Sequence, residues 1–420
     1  MTEKLLQYIW QFQCYSPNHL MTEAGEPLQV IHPGTLNTNQ GPDFTGAKIK
    51  ISTTTWAGSV ELHINSSDWH LHKHSTDKNY KNVILHVVWK NDADLELPFP
   101  TFVLEDRVPK ILLNKYHELM LAESFIPCEK SIHQLNPLSW KSWKTRMLVE
   151  RLEQKTSLVL DFLEKNNNNW EASFWWLLAR NFGARLNVLA FEKTAQSIPI
   201  NILARHKNQV HQTEALLFGQ AGLLEGAFKD DYPKLLQREY RFLKNKYGLK
   251  PIEASLVFLR MRPSNFPTVR LAQLAMLIHK SVHLFSKIKE SHDLYAAREL
   301  LHVTANDYWH YHYVFDEPAA FKKKNLGDQM TDNILINTIV PVLFAYGMYN
   351  SEQGLKDKAM HWLEHIKPEK NNIVNGFAAL GIASENAFDS QALIRLKHEY
   401  CNNKRCLDCS VGNHLIRGSN

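Results

Sequence analysis

With 420 residues, 44% of them hydrophobic and 22% charged, the chain has the composition of a folded protein of two or three domains, which excludes a disordered or low-complexity polymer. A formal net charge of +5 permits a polyanionic partner without demanding one. No apolar run approaches the ~18 residues of a membrane span, the first twenty residues lack a secretory pattern, and five cysteines cannot staple so long a chain, so a cytoplasmic protein with no membrane partner is expected.

Glu3 to about Phe12 reads as an amphipathic helix with Leu5, Leu6, Ile9 and Trp10 on its apolar side. A turn-rich passage through Pro17, Gly25, Pro33, Gly34, Gly41 and Pro42 follows. Ala47 to Ile51 and Val60 to Ile64 alternate with the period of a strand, and Val83 to Trp89 is apolar enough to be a buried one. Thr101 to Leu104 supplies a further strand, and Pro109 to Leu121 a helix that closes a first domain, residues 1–130, near Cys128.

Beyond Pro137 the apolar spacing becomes helical, over Trp140 to Glu164, Trp170 to Asn181, Tyr232 to Lys246, Thr268 to Ile288 and Ile334 to Tyr349. Glycine and proline fall between these runs, which predicts a helical bundle or array over 137–397 with no fixed-period repeat. A Cys-rich tail, 398–420, completes an expected α+β chain: a mixed sheet domain, a large mainly helical domain and the tail.

Acids and imidazoles are densest between Asp43 and His86. In a strand, positions i and i+2 share a face, so Glu61 and His63 point one way while Val60, Leu62 and Ile64 pack inward, and Asp43 at the mouth of the preceding strand can join them. Two carboxylates, completed by water and substrate phosphate, suffice for Mg²⁺ or Mn²⁺. The alternative is that Asp43 caps a turn and that Glu61 and His63 lie on a solvated sheet face.

Pro42-Asp43, a strand, Glu61-x-His63, a helix-sized interval and a third strand together resemble the core of the PD-(D/E)xK nuclease superfamily. That resemblance implies metal-binding acids at Asp43 and Glu61 and a water-assisting residue at position 63, where the superfamily usually has lysine. A histidine there can act as a base, act as a ligand favouring Mn²⁺ or Zn²⁺, or mark a site without activity.

Asp68, His70, His72, His74 and His86 form a second candidate set, either a transition-metal site or a polar rim for substrate. Extended backbone would put His70, His72 and His74 on one face, whereas a helix would pair His70 with His74. Trp69 between them reads as a packing residue. His398, Cys401, Cys406 and Cys409 suit Zn²⁺, with His414 a further candidate; three cysteines with Cys14 or Cys128 suit an iron–sulfur cluster, and exposed reduced thiols are the plain alternative.

Arg260, Arg262 and Arg270 flank a proline-bracketed loop that opens a helix, a phosphate-binding pattern unless the arginines pair with glutamates. Phe218 to Gly222 reads as a tight helix junction, and Tyr308 to Tyr313 as core filling or a base-stacking surface. Over its whole length, through the GPDF, VELH, SDWHLHKH, ILHVV, RPSNFPTVRLAQLA and RCLDC stretches, the chain resembles an uncharacterised bacterial domain-of-unknown-function family. The expectation is a metal-dependent phosphodiesterase with DNA or RNA as partner. The alternatives are a non-catalytic binding scaffold that keeps the nuclease-like core, and a metalloenzyme on a small molecule.

Overall fold

A 6-stranded mixed sheet organises the N-terminal region of the computed structural model, which describes residues 1–134, 137–253, 256–281 and 283–418. Its strands are β1 (Leu28–His32), β2 (Thr35–Leu36), β3 (Phe44–Ile51), β4 (Thr54–Asn65), β5 (Val83–Lys90) and β6 (Thr101–Val103), in the order β1-β3-β4-β5-β6 with β2 beside β3. β3 and β4 form an antiparallel hairpin, whereas β4, β5 and β6 run parallel. Parallel pairing requires a crossover, and residues 66–82 supply it through the short helix α2 (Asp68–Leu71) and two 3-10 turns.

The period-two pattern divides the sheet into two chemically different faces. Val60, Leu62, Leu85 and Val87 pack with Phe44 and Ile49 into an apolar core, covered by Leu6, Ile9 and Trp10 of helix α1 (Glu3–Gln11). Glu61, His63 and His86 therefore face the other way, beneath the crossover. Thr2 caps α1 by accepting from the Leu5 N–H at 3.2 Å, and α3 (Lys110–Leu121) adds Leu112 and Leu119 to the core.

Residues Met1–Trp143, together with the segment from Leu396 onward, make one compact unit, and Lys144–Arg395 make a second. The boundary expected near 130–137 thus falls at 143, within the long helix α4 (Pro137–Lys165). The cysteine segment, read above as a separate tail, is part of the first unit. Cys406, Leu407 and Ile416 join its core, and Val411 and Ile416 of the terminal helix Ser410–Arg417 are fully buried, because an isolated tail would leave that apolar stripe in water. Positions 419 and 420 lie outside the described residues.

The second unit is helical, as its spacing predicts. The expected runs appear as α5 (Trp170–Phe182), then, after three helices not singled out from sequence, α6 (Val188–Gln196), α7 (Ile200–His206) and α8 (Val210–Gln220), as α9 (Asp231–Tyr247). The run read as Thr268 to Ile288 is two helices, α10 (Pro267–Lys280) and α11 (Leu284–Glu290), separated by an extended Ser281; position 282 lies outside the described residues. The run read as Ile334 to Tyr349 begins earlier, with Asp328–Ile334, and passes through a π turn at Leu335–Ile339 into Val340–Tyr349.

Trp309 is fully buried, stacks on Phe218 with ring centroids 5.1 Å apart and donates to Glu214 at 3.2 Å, so this member of the 308–313 aromatic run fills core, whereas Tyr311 is exposed. Gly219 sits where α8 meets the Tyr240 ring of α9, a contact with no room for a side chain.

Candidate metal centre

The register Phe44↔Val60 across the β3–β4 hairpin sets Asp43 beside Glu61, eighteen positions on. Gly41, at φ +108°, and Pro42 bend the chain into that strand, and the Asn37 side chain holds the bend by donating to the Pro42 carbonyl at 3.0 Å. The Asp43 N–H donates to Glu61 Oε2 at 2.9 Å, and the Leu62 N–H donates to Asp43 Oδ2 at 3.0 Å. The other Asp43 oxygen accepts from Gln7 Nε2 on α1 at 2.8 Å. Asp43 is thereby clamped on both oxygens, while Glu61 keeps Oε1 for the interior of the site.

That oxygen faces imidazoles. It lies 3.3 Å from His74 Nε2 and 3.7 Å from His63 Nε2. His63, only 1% exposed, shares a hydrogen bond with His86 at 2.8 Å through Nδ1 and another with His72 at 3.2 Å through Nε2. Ligand nitrogens of His63, His72 and His74 all fall within 4.8 Å of one another.

The crossover reaches this geometry in a way neither sequence alternative anticipates. Lys73 adopts a left-handed conformation (φ 59°) and turns the chain between His72 and His74, so both rings close on His63, at 5.0 and 5.2 Å between centroids, while His70 stays exposed. Trp69 anchors the turn: its buried ring contacts His63, His74 and His86, and its Nε1 donates to Ser75 at 2.9 Å. Asp68 is occupied locally, accepting the Asn65 N–H at 3.0 Å, and so serves the start of α2.

Burial, then the charge of neighbouring Asp43, pushes the Glu61 carboxyl up to about 8. Burial also raises Asp43 to about 6, against the opposing pull of the Leu62 N–H and the Gln7 amide. Burial and then the surrounding imidazoles drive His63 down to about 3, and burial with His74 drives His86 down to about 4. The site therefore combines carboxyls that resist ionising with imidazoles that resist protonation.

Three contributors escaped the sequence reading. Gln7 and Glu3 lie four residues apart on one face of α1, and Glu3 adds to the negative field on both carboxyls. Tyr80 stacks on His74 at 3.9 Å, and burial followed by Glu61 and Asp43 raises its hydroxyl to about 12. The i, i+4 pair of Glu3 and Gln7 on an amphipathic helix was a usable signal for the first two; nothing in the sequence marked Tyr80.

The family described as a protein of unknown function (DUF2851) matches residues 3–372, a span holding every residue of this centre. The chain belongs to that family. No curated protein and no solved structure matches it. No helix among the described residues is long and apolar enough to cross a membrane.

The other candidate sets divide. Cys401, Cys406 and Cys409 are drawn together with Cys128, not with His398, which is exposed. Cys14 packs elsewhere against the core, near Arg417. Burial and mutual repulsion raise Cys128 and Cys406 to about 12, and Cys409 Sγ receives the backbone N–H groups of Gly412 and Val411. No disulfide joins any of them. Of the three arginines, Arg260 and Arg262 are exposed on the loop and only Arg270 turns inward, where amides and no glutamate hold it. A further set, His361, Glu364 and His365, lies wholly exposed on the helix Gln353–Glu364 and its C-terminal residue.

Proposed function

We propose that this chain is a metal-dependent phosphodiesterase acting on DNA or RNA, with its cation held by Glu61 and the imidazoles of His63, His72 and His74. One observation carries the reading: Glu61 Oε1 stands 3.3 and 3.7 Å from two imidazole nitrogens in a pocket where its own carboxyl is driven up to about 8. A mixed nitrogen and oxygen donor set suits Mn²⁺ or Zn²⁺ better than Mg²⁺. An orphaned buried nitrogen agrees with a missing partner, since His86 Nδ1 makes no hydrogen bond among the described residues.

A divalent cation bound there supplies Lewis acidity toward a phosphoryl oxygen and a more acidic water. The protein's residues do the positioning. His63 gives up its Nε2 lone pair when Nδ1–H donates to His86 Nε2, so His86 fixes the tautomer of the ligand. Asp43, held by Leu62 and Gln7, keeps the Glu61 side chain oriented through its own backbone N–H. His63 is therefore a ligand and not the base, because an imidazole held near 3 on the acid scale and sealed from solvent is a poor proton acceptor at neutral pH. The order α1, β1, β3, β4, crossover, β5 is in keeping with the nuclease-like resemblance.

The same reading gives Cys128, Cys401, Cys406 and Cys409 a thiophilic metal. Four thiolates suit a tetrahedral zinc or an iron–sulfur cluster.

Glu61→Ala should abolish Mn²⁺-dependent cleavage across a panel of single- and double-stranded DNA and RNA, with the melting temperature kept within a few degrees. An unaltered rate removes Glu61 from the site. The scaffold reading, supported by a buried histidine where a lysine is usual, gains if no substrate on the panel is cut.

A further inference from the structure

The helical unit holds a cavity of about 730 Å³, within the ~300–1,000 Å³ typical of small-molecule sites. Its wall is chemically one-sided. Three arginines (Arg180, Arg185 and Arg270) and seven side-chain amides line it, and no aspartate or glutamate does.

The arginines differ in how their charge is balanced. Arg180 forms an ion pair with Glu192 behind the wall. Arg270, in the first turn of α10, donates Nη1 to Gln273 at 2.9 Å and Nη2 to Asn265 at 2.6 Å, both neutral amides. Burial alone lowers its pKa, to about 10, with no carboxylate acting in the other direction. Arg185 is exposed at the mouth and pairs with no carboxylate among the described residues. Guanidinium groups taken out of water are ordinarily matched by an anion, because an unmatched one costs several kcal/mol (~3 or more). Arg270 lacks that match among the described residues, while Arg185 adds a solvated positive charge at the mouth.

The backbone adds a second, independent mark. The π turn at Leu335–Ile339 interrupts an otherwise continuous helix and brings Asn337 and Thr338 into the wall. Such turns give up regular i→i+4 bonding and concentrate at functional sites. Asn181 Nδ2 donates to Thr338 Oγ1 at 2.9 Å and Lys155 Nζ donates to Asn337 Oδ1 at 2.9 Å, so this part of the wall is fixed. The side-chain amides of Gln329 and Asn333, also in the lining, make no hydrogen bond among the described residues. Fixed amides behind, open amides in front, one buried guanidinium without a carboxylate and a second guanidinium at the mouth form a receptor for a negatively charged, hydrogen-bonding ligand.

We propose that this cavity binds a phosphate-bearing ligand of nucleotide size, with Arg270 and Arg185 on the phosphate and the amides of Gln329 and Asn333 on its polar remainder. Guanidinium forks match phosphate oxygens in pairs, and side-chain amides match the donor and acceptor edges of a base or sugar. The site is separate from the acid and histidine centre and does not depend on its chemistry.

Calorimetry on the full-length chain, titrated with inorganic phosphate, a mononucleotide and a short single-stranded oligonucleotide, tests the proposal. Mononucleotide binding should weaken at least tenfold in Arg270→Gln and in Arg185→Gln and decline with added salt, while the Mn²⁺-induced thermal shift of the first unit stays as in the parent. Arg185→Gln, at an exposed position, keeps the test decisive if Arg270→Gln does not fold. Binding of the oligonucleotide without the mononucleotide, still lost in Arg185→Gln, assigns the phosphate to a polymer and supports the site. No binding of any probe at millimolar concentration, or binding unchanged in both variants, overturns it.

Discussion

Glu61→Gln separates the two states of the proposed centre, because glutamine keeps the shape of a protonated glutamate and cannot ionise. In the metal-free protein, Glu61 holds its proton up to about pH 8, whereas in the unfolded chain it loses it near 4.5. Between those values the folded state binds more protons, so the metal-free parent loses stability as pH rises from 4.5 to about 8 and is unaffected by this group below that window. At about 1.4 kcal/mol per pH unit the span sets an upper bound of roughly 5 kcal/mol, and dielectric relaxation around a group next to Asp43 brings the expected difference to ~2 kcal/mol. Urea denaturation of parent and variant in EDTA, at pH 5 and pH 8.5, reads this directly. The variant should match the parent at pH 5 and exceed it by ~2 kcal/mol at pH 8.5. With Mn²⁺ at a hundred times its dissociation constant, the parent should gain about 2.7 kcal/mol and the variant almost nothing. Parallel pH profiles for the two proteins, or a variant weaker than the metal-free parent at pH 8.5, would refute both the buried-carboxyl argument and the cation built on it.

Two further outcomes follow from the packing. Cys128→Ser should remove bound zinc or iron, and with iron any visible absorption of protein purified without oxygen, whereas His398→Ala should not; retained metal in the cysteine variant would return these thiols to a packing role. Gly219→Ala would drive a methyl group to 2.2 Å from the Tyr240 ring and should destabilise the helical unit by ~1–3 kcal/mol, measured by thermal unfolding; a neutral result would mean α8 and α9 separate without cost.

Much of the fold was legible in the chain because its causes are local. Alternation marked β3 and β4, a continuous apolar run marked β5, and the 3.6-residue period marked α4, α5 and α9 to within a residue or three at their ends. The break of α10 at Ser281 was not read from the sequence, since apolar residues continue across it.

The proposed centre divides in the same way. Period two alone placed Glu61 and His63 on one face, and density of acids and imidazoles alone identified 43–86 as the chemical segment. Which imidazoles meet them depended on a left-handed Lys73, an outcome decided by Trp69 packing beneath the crossover and invisible to either regular period. Likewise, sequence supplied three close cysteines and left Cys14 and Cys128 open as a fourth, and the choice of Cys128, more than two hundred residues away, came with the terminal helix burying its apolar stripe in the first unit's core. Arg270 shows the same limit. Its place at the start of a helix was readable, whereas the absence of a counter-charge around it is a property of helices distant in sequence and is settled only when they assemble.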